Sequence, residues 1–177
     1  MSNILSLYVD GGVIGSNPSM IGGTYAYRLI FEDGNNVGWA NVVTPAEIGG
    51  PVTNNQTEML AMLEGLKRLP DHWVGTIYSD SAVTLGRVFS GWKWKNIPVW
   101  MHKVYQEQRA RLTYWSELKY VQLDGHPTKA QLLSSIGKRG NPVSEHNVWC
   151  DHACQRAGEE FLANVGQNIP LSHEVLA

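Results

Sequence analysis

Four acidic residues stand at the ends of separate predicted elements, and no other feature of this chain limits its fold as strongly. Asp10 and Asp80 each follow a short apolar run rich in strand formers, whereas Glu58 and Asp151 lie near the starts of two predicted helices. Carboxylates brought together at a sheet end repel one another, so the arrangement is hard to maintain unless divalent cations neutralise it. The pattern predicts a metal-dependent phosphodiesterase.

Length and composition indicate one domain. The chain has 177 residues, 43% of them apolar, which is enough to bury a core without disulfides or a structural metal. We expect residues 1–163 to form this domain and residues 164–177 to be a partly disordered tail. No segment approaches membrane-spanning length, the N-terminus lacks signal-peptide features, and the two cysteines suit a reduced protein. We therefore expect a cytoplasmic protein without membrane contact.

The net charge of −2 excludes a protein that holds nucleic acid through a broadly basic surface. Any contact with phosphate must then be local. Metal ions at an acidic site supply part of the missing positive charge, so the mild acidity remains compatible with a nucleic-acid substrate.

The order of predicted elements is typical of an α/β layer structure with a mixed five-stranded sheet. Strands at residues 4–9, 24–31 and 37–43 are joined by short connections and predict an antiparallel meander, with two further strands at residues 75–79 and 118–123. Helices are predicted at residues 55–69, 82–89, 99–112 and 145–162. Loops are predicted at residues 45–51, 92–98 and 125–144, the last with a helical turn at residues 129–133.

Each acid taken alone has an ordinary structural interpretation. Asp10 precedes Gly-Gly, as turn formers do, and Asp80 precedes a serine where it could cap the next helix. Glu58 and Asp151 instead adjoin the apolar stripes of their helices, where burial of a carboxylate costs on the order of several kcal/mol without a compensating cation or donor. Taken together, the four acids favour a shared metal site.

Several motifs, in the same order and spacing, resemble those of type 1 ribonuclease H, and the resemblance covers residues 4–162. The motifs are Tyr-Val-Asp-Gly-Gly at 8–12, Thr-Asn-Asn-Gln-Thr-Glu at 53–58, Tyr-Ser-Asp-Ser at 78–81, Gly125-His126, and Asn147 with Asp151. The resemblance implies a ribonuclease H-like fold and endonucleolytic hydrolysis of the RNA strand of RNA/DNA hybrids, giving 5′-phosphate and 3′-hydroxyl ends.

The same resemblance implies a cofactor and a set of catalytic residues. Asp10, Glu58, Asp80 and Asp151 would hold two Mg²⁺ ions, with Mn²⁺ as a substitute. His126 would be the histidine that assists proton transfer to the leaving group or product release.

About twenty residues separate His126 from Asn147, whereas the familiar bacterial members have only a handful. This insertion at residues 127–145 leaves His146, which adjoins Asn147, as a competitor for the assisting role. Both histidines could also be exposed loop residues without a catalytic role.

Substrate contacts are implied at the start of the second motif. Asn54 and Asn55 match the family positions that sense the 2′-hydroxyl of RNA, although asparagine is also common where a loop enters a helix. Thr53 and Asn17 are candidates for phosphate and minor-groove contacts. Ala82 stands where many relatives carry glutamine, so one substrate contact is expected to be missing.

Basic residues are sparse in the segment where some bacterial relatives carry a basic protrusion. Residues 92–95, Trp-Lys-Trp-Lys, could stack on and pair with nucleic acid or could pack against the core. Lys129, Lys138 and Arg139 in the insertion could add substrate contacts or could belong to a solvated loop. We expect moderate substrate affinity.

Three alternative interpretations are less consistent with the sequence. Another nuclease on this fold could be a 3′ to 5′ exonuclease or a junction resolvase, but the exonuclease pattern wants a glutamate where Gly12 stands. A non-catalytic nucleic-acid-binding relative is disfavoured because all four acids are present. A zinc site at Cys150, His152 and Cys154 is disfavoured because both thiols coincide with an apolar helical stripe.

We expect a monomer whose partner is the hybrid, with no obligatory protein partner.

Overall fold

A five-stranded mixed sheet forms the centre of the protein in this computed structural model, which describes residues 2–168. The strands are β1 (Ile4–Val13), β2 (Gly23–Phe31), β3 (Asn36–Val43), β4 (Thr76–Ser79) and β5 (Lys119–Gln122). Their order across the sheet is β3-β2-β1-β4-β5.

Strand direction determines which side chains meet at the sheet edge. β1 pairs antiparallel with β2 and β2 antiparallel with β3, whereas β4 runs parallel to both β1 and β5. This confirms the predicted mixed sheet with its antiparallel meander. Because β1, β4 and β5 run in the same direction, the residues at their C-terminal ends gather at one edge.

β1 is longer than the sequence predicts. The Gly11-Gly12 step indicates an exit from the strand after Val9, yet the strand continues to Val13. The parallel pairing with β4 ends at Val9, but the antiparallel pairing with β2 continues through Val13 opposite Gly23. Asp10 therefore lies within β1, at the point where the strand has lost one neighbour and kept the other.

All four predicted helices are present; the helix at residues 82–89 has the predicted bounds, and the other three differ at their ends by one to six residues. The helices are α1 (Pro45–Ile48), α2 (Asn54–Leu66), α3 (Ala82–Phe89), α4 (Val99–Arg111), α5 (Lys129–Ser134) and α6 (Glu145–Asn168), with a 3-10 turn at Trp115–Glu117. The predicted turn at residues 129–133 is α5. Within the described residues, no helix combines the length and apolarity needed to cross a membrane.

Two helical segments extend beyond the sequence-based prediction. α1 occupies part of the predicted loop at residues 45–51, where Thr44 and Glu47 form a reciprocal capping box around Pro45. α6 continues past its predicted end at residue 162 to Asn168. The remainder of the predicted tail, residues 169–177, lies outside the described residues.

Two apolar clusters cover the two faces of β1. On one face, Leu7 and Val9 pack against α2, whose fully buried stripe consists of Met59, Met62, Leu63 and Leu66. On the other face, Tyr8 packs against α6 through Cys150, Ala153 and Cys154. Alternation along the strand explains the division, since successive side chains point to opposite faces.

The two cysteines belong to the second cluster. Both are buried and unpaired. Sγ of Cys150 lies 3.8 Å from the carbonyl oxygen of Tyr8, and Sγ of Cys154 lies 3.7 Å from that of Asp10. Burial raises the pKa of both thiols. The cysteines therefore act as small apolar residues that join α6 to β1.

Candidate active site

Three carboxylates from three different elements converge at the C-terminal edge of the parallel strands. Ligand oxygens of Asp10 in β1, Glu58 in α2 and Asp80 after β4 all lie within 4.8 Å of one another. Asp10 is 5% exposed and Glu58 is 4% exposed, while Asp80 is half-buried. Hard oxygen ligands at this spacing can bind a divalent cation.

The approach of α2 to β1 brings Glu58 to the site. Thr53 caps α2, since its side chain accepts the N–H of Gln56 while the Gln56 side chain accepts the N–H of Thr53. At the crossing point, a Cβ on Gly11 would lie 2.5 Å from the backbone nitrogen of Glu58. Only glycine fits there, so Gly11 allows the strand and the helix to place Asp10 and Glu58 together.

Asp80 is held by residues that follow it far along the chain. The side-chain amide of Asn147 donates to Oδ2 of Asp80 at 3.4 Å, and Asn147 itself is 2% exposed. A Cβ on Gly125 would lie 2.6 Å from the same Oδ2 atom. The loop after β5 therefore passes directly beside the Asp80 carboxylate.

The three carboxylates are electrostatically strained without a cation. Burial and the charge of Asp80 raise the pKa of Asp10, and burial together with the charges of Asp10 and Asp80 raises the pKa of Glu58. Burial also raises the pKa of Asp80, although the Asn147 hydrogen bond opposes this shift. Glu58 Oε2 is buried without a protein hydrogen-bond partner. An unsatisfied anionic oxygen in such a cluster suits a metal ligand.

Asp151 lies beside this cluster, on its more exposed side. The described structure places it outside the three-residue group, in a cavity of about 230 Å³ that Asp80 and His126 also line. Its carboxylate accepts a hydrogen bond from Gln155 at 3.2 Å, and its charge contributes to raising the pKa of both Asp10 and Asp80. The structure thus brings all four predicted acids to one region, three of them tightly and Asp151 at its border.

The two candidate histidines have different surroundings. His126 lies on the cavity, with Nδ1 3.6 Å from Oδ2 of Asp151 and its side chain 81% exposed. His146 instead packs against Tyr8, with a ring-centroid distance of 5.0 Å, and its Nδ1 lies 3.2 Å from Nη1 of Arg28. Burial and the Arg28 charge lower the pKa of His146. Despite the insertion at residues 127–145, His126 lies beside Asp151 on the cavity.

The predicted substrate-binding residues cluster at the N-terminus of α2. The backbone N–H of Asn54 donates to Oδ1 of Asn17 at 3.1 Å, and Thr53 is the N-cap. The Asn55 side chain is exposed on the first turn. These four residues share the end of α2 that carries Glu58.

The aromatic and basic segment at residues 92–95 is fixed to α3 by Arg87, a residue that no local pattern in the sequence distinguishes. The buried Arg87 guanidinium donates to the carbonyl oxygens of Lys93 and Lys95, both at 3.0 Å. Trp94 packs on Tyr105 and donates its indole N–H to the Arg87 carbonyl oxygen. Trp94 is therefore a packing residue, while the two lysine side chains are exposed.

A family model described as RNase H matches residues 2–159. This chain belongs to the ribonuclease H family. A ribonuclease H of Thermoanaerobacter sp. (strain X514) is 32% identical over 177 residues, covering 95% of this chain and 98% of that protein. The ribonuclease H of Lachnoclostridium phytofermentans is 27% identical and covers 81% of this chain and 98% of its own length.

Solved ribonuclease H structures share the fold. LC11-RNase H1 in complex with an RNA/DNA hybrid has a TM-score of 0.60 at 18% identity, covering 89% of this chain and 98% of that one. RNase H1 from the halophilic archaeon Halobacterium salinarum NRC-1 has a TM-score of 0.57 at 16% identity, with the same coverage.

The predicted family, fold and enzyme class are confirmed. The chain is a nuclease with ribonuclease H activity, and its acidic cluster is consistent with the metal dependence of the family. The individual roles of the site residues remain predictions.

Proposed function

We propose that this chain cleaves the RNA strand of RNA/DNA hybrids endonucleolytically at the acidic cluster, leaving 5′-phosphate and 3′-hydroxyl ends. The observation that carries the proposal is the convergence of Asp10, Glu58 and Asp80, whose ligand oxygens lie within 4.8 Å of one another at the C-terminal ends of the parallel strands. The ribonuclease H relatives and the hybrid bound in the LC11-RNase H1 structure support the choice of substrate.

Asp10, Glu58, Asp80 and Asp151 would hold two Mg²⁺ ions, or Mn²⁺ in their place. The fit rests on the unpartnered Glu58 Oε2 and on the raised pKa values of Asp10 and Glu58, since cations would relieve the repulsion that produces those shifts. When bound, the ions supply an activated water and neutralise charge on the departing 3′ oxygen.

The protein itself contributes a preorganised set of ligands. Asn147 fixes the Asp80 carboxylate by its hydrogen bond, and Gly11 allows Glu58 to approach Asp10. Side chains held in this way need little rearrangement when they bind a charged ligand, which favours catalysis.

His126 is proposed to transfer a proton to the leaving 3′ oxygen. The proposal is supported by the exposed position of its ring on the cavity and by the Asp151 carboxylate, which lies 3.6 Å away and can orient it. His146 lacks this freedom because Arg28 and Tyr8 hold it.

Selection of the hybrid is proposed to depend on the N-terminus of α2. Asn54 and Asn55 would sense the 2′-hydroxyl groups of the RNA strand, and Thr53 and Asn17 would contact backbone phosphate and the minor groove. The Asn17–Asn54 hydrogen bond supports this assignment because it holds the loop and the helix start together.

We further propose that residues 1–163 act as one catalytic domain, that the chain works as a cytoplasmic monomer, and that it needs no protein partner. One chain provides all four proposed metal-binding carboxylates and His126, so a second copy is not required to complete the site.

One assay tests the proposal. The protein is incubated with Mg²⁺ and four labelled substrates: RNA/DNA hybrid, duplex DNA, duplex RNA and a four-way junction. Cleavage confined to the RNA strand of the hybrid, with 5′-phosphate and 3′-hydroxyl products, is the expected result, and Asp10→Asn should abolish it. Cutting of the junction would favour a resolvase, and binding without cleavage would favour a non-catalytic protein.

A further inference from the structure

The insertion at residues 127–145 folds back onto the edge of the acidic site. After α5, Ile136 and Pro142 form an isolated antiparallel bridge, and the backbone N–H of Asp124 donates to the Pro142 carbonyl oxygen at 2.9 Å. The intervening turn is closed by a 2.8 Å hydrogen bond from the N–H of Gly137 to the carbonyl oxygen of Asn141. Residues 137–141 are named the anchored turn below.

A buried carboxylate fixes the anchored turn. Asp124, 6% exposed, accepts hydrogen bonds from the backbone N–H of Arg139 at 2.6 Å, the backbone N–H of Asn141 at 3.3 Å and the Asn141 side-chain amide at 3.0 Å. Burial favours the neutral carboxyl, but these donors outweigh it and hold the pKa of Asp124 below its usual value.

The anchored turn approaches Asp124 so closely that its first residue must be glycine. A Cβ on Gly137 would lie 2.4 Å from the Asp124 Cβ and 2.5 Å from Oδ2. A solvated loop would need neither a close backbone approach nor a buried carboxylate with three donors, since burial of an unsatisfied carboxylate is costly. These features indicate that the fold holds the anchored turn in a fixed position beside Asp124.

Two cations lie on the anchored turn beside the acidic site. Lys138 and Arg139 are exposed, and together with Asp80, Asp124, Gly125 and His126 they line a cavity of about 290 Å³. An ammonium and a guanidinium group repel metal ions but bind phosphate through charge-assisted hydrogen bonds.

We propose that the anchored turn is a phosphate-binding subsite, in which Lys138 and Arg139 bind a backbone phosphate of the hybrid adjacent to the one that is cleaved. Asp124 is a positioning residue, because its hydrogen bonds to Arg139 and Asn141 hold the turn that carries both cations. This inference rests on the proposed function. It also provides local positive charge beside the acidic site in a chain whose net charge is −2.

The test compares two double variants that remove the same charge. Lys138→Ala/Arg139→Ala removes the proposed subsite, whereas Lys67→Ala/Lys119→Ala removes two exposed lysines, one at the C-cap of α2 and one at the first residue of β5. Hybrid binding is measured by fluorescence anisotropy in an Asp10→Asn background, at several salt concentrations. Cleavage kinetics are measured in the wild-type background.

Loss of the subsite should weaken hybrid binding about tenfold and raise KM with kcat unchanged, because a charge-assisted contact to a non-reacting phosphate is made equally in the ground and transition states. The slope of log K against log salt concentration should fall by about 1. The Lys67→Ala/Lys119→Ala control pair should change the hybrid affinity, the KM and the salt slope much less. Equal weakening in the two pairs would show that only net charge matters, and this outcome overturns the proposal.

Asp124→Ala tests the positioning role. It should raise KM about as much as the Lys138→Ala/Arg139→Ala pair, and combining all three substitutions should add little, because residues acting through one contact are not additive. An additive loss, or a fall in kcat alone, would overturn the role assigned to Asp124. If Asp124→Ala fails to fold, the surface pair still decides whether the subsite exists.

Failure of the inference is distinguishable from failure of the proposed function. If the wild-type protein neither cleaves nor binds the hybrid, the proposed function fails and this inference fails with it. If the wild-type protein cleaves and binds the hybrid but the two double variants behave alike, only the inference fails.

Discussion

Gly125 passes so close to Asp80 that a Cβ at residue 125 would lie 2.6 Å from Oδ2 of the carboxylate. Real side chains do not approach at this distance, so any larger residue must displace the carboxylate or the loop after β5. The loop that carries His126 and Asp124 is thereby tied to the position of one proposed metal ligand.

Gly125→Ala should therefore lower activity by about 10²-fold, because displacement of a catalytic group by roughly 1 Å can have this effect. Single-turnover cleavage of the hybrid over a range of Mg²⁺ concentrations measures it. Gly50→Ala is the matched control, since nothing lies within 4 Å of the added Cβ there. Unchanged cleavage by Gly125→Ala would show that the Asp80 position is not critical.

Asp10→Asn should abolish cleavage and stabilise the metal-free protein. Burial and the neighbouring acids raise the pKa of Asp10, so its ionised form destabilises the folded state, whereas an amide removes that charge. We expect the gain in the free energy of unfolding to increase as the pH rises and ionises Asp10 in the wild-type protein. Urea unfolding in EDTA measures it, with Glu107→Gln at an exposed position as control. A destabilised Asp10→Asn protein would contradict the prediction.

The stability of the metal-free protein should decrease as the pH rises from about 4 towards neutrality. The folded-state pKa values of Asp10, Glu58 and Asp80 are raised, so the folded protein binds more protons than the unfolded chain over this range. The stability contribution is complete below the unfolded pKa and is lost as the pH passes through the folded pKa values.

Mg²⁺ should reverse this loss, because it binds the ionised carboxylates. Its addition should raise the Tm more at pH 8 than at pH 5, and cleavage should increase towards alkaline pH. Thermal unfolding across this range with and without Mg²⁺ is the measurement. An equal Mg²⁺ effect at both pH values would be inconsistent with the raised pKa values.

Replacement of the two histidines should affect different properties. His126→Ala should lower kcat on the order of 10²-fold, as expected for loss of a general acid, with little change in Tm because the side chain is exposed. His146→Ala should lower the Tm and largely preserve kcat, because His146 contacts Arg28 and Tyr8. Measurement of kcat and Tm for both variants decides the assignment, and the opposite pattern would transfer the catalytic role to His146.

Local patterns in the sequence predicted most of the fold. The Thr53/Gln56 capping box and the apolar stripe of α2 are short-range signals, and both appear in the structure as expected. The end of β1 was mispredicted because Gly11-Gly12 resembles a turn, whereas continued pairing with β2 overrides that local preference.

The candidate site was predictable in its residue types but not in its supports. The order of the acids along the strands and helices indicated a cluster, yet nothing local to Asp80 reveals that Asn147 and Gly125 hold it. Asp124 was missed for the same reason, since its partners Arg139 and Asn141 become neighbours only when the insertion folds back. Contacts over such sequence separations depend on tertiary structure.

Cys150 and Cys154 lie in the seam between α6 and β1, so their chemical reactivity depends on motion near the acidic cluster. Their sulfur atoms are covered by the strand and contact the main chain of Tyr8 and Asp10, so a thiol reagent can reach them only when helix and strand separate. The rate of thiol modification therefore measures how often this seam opens.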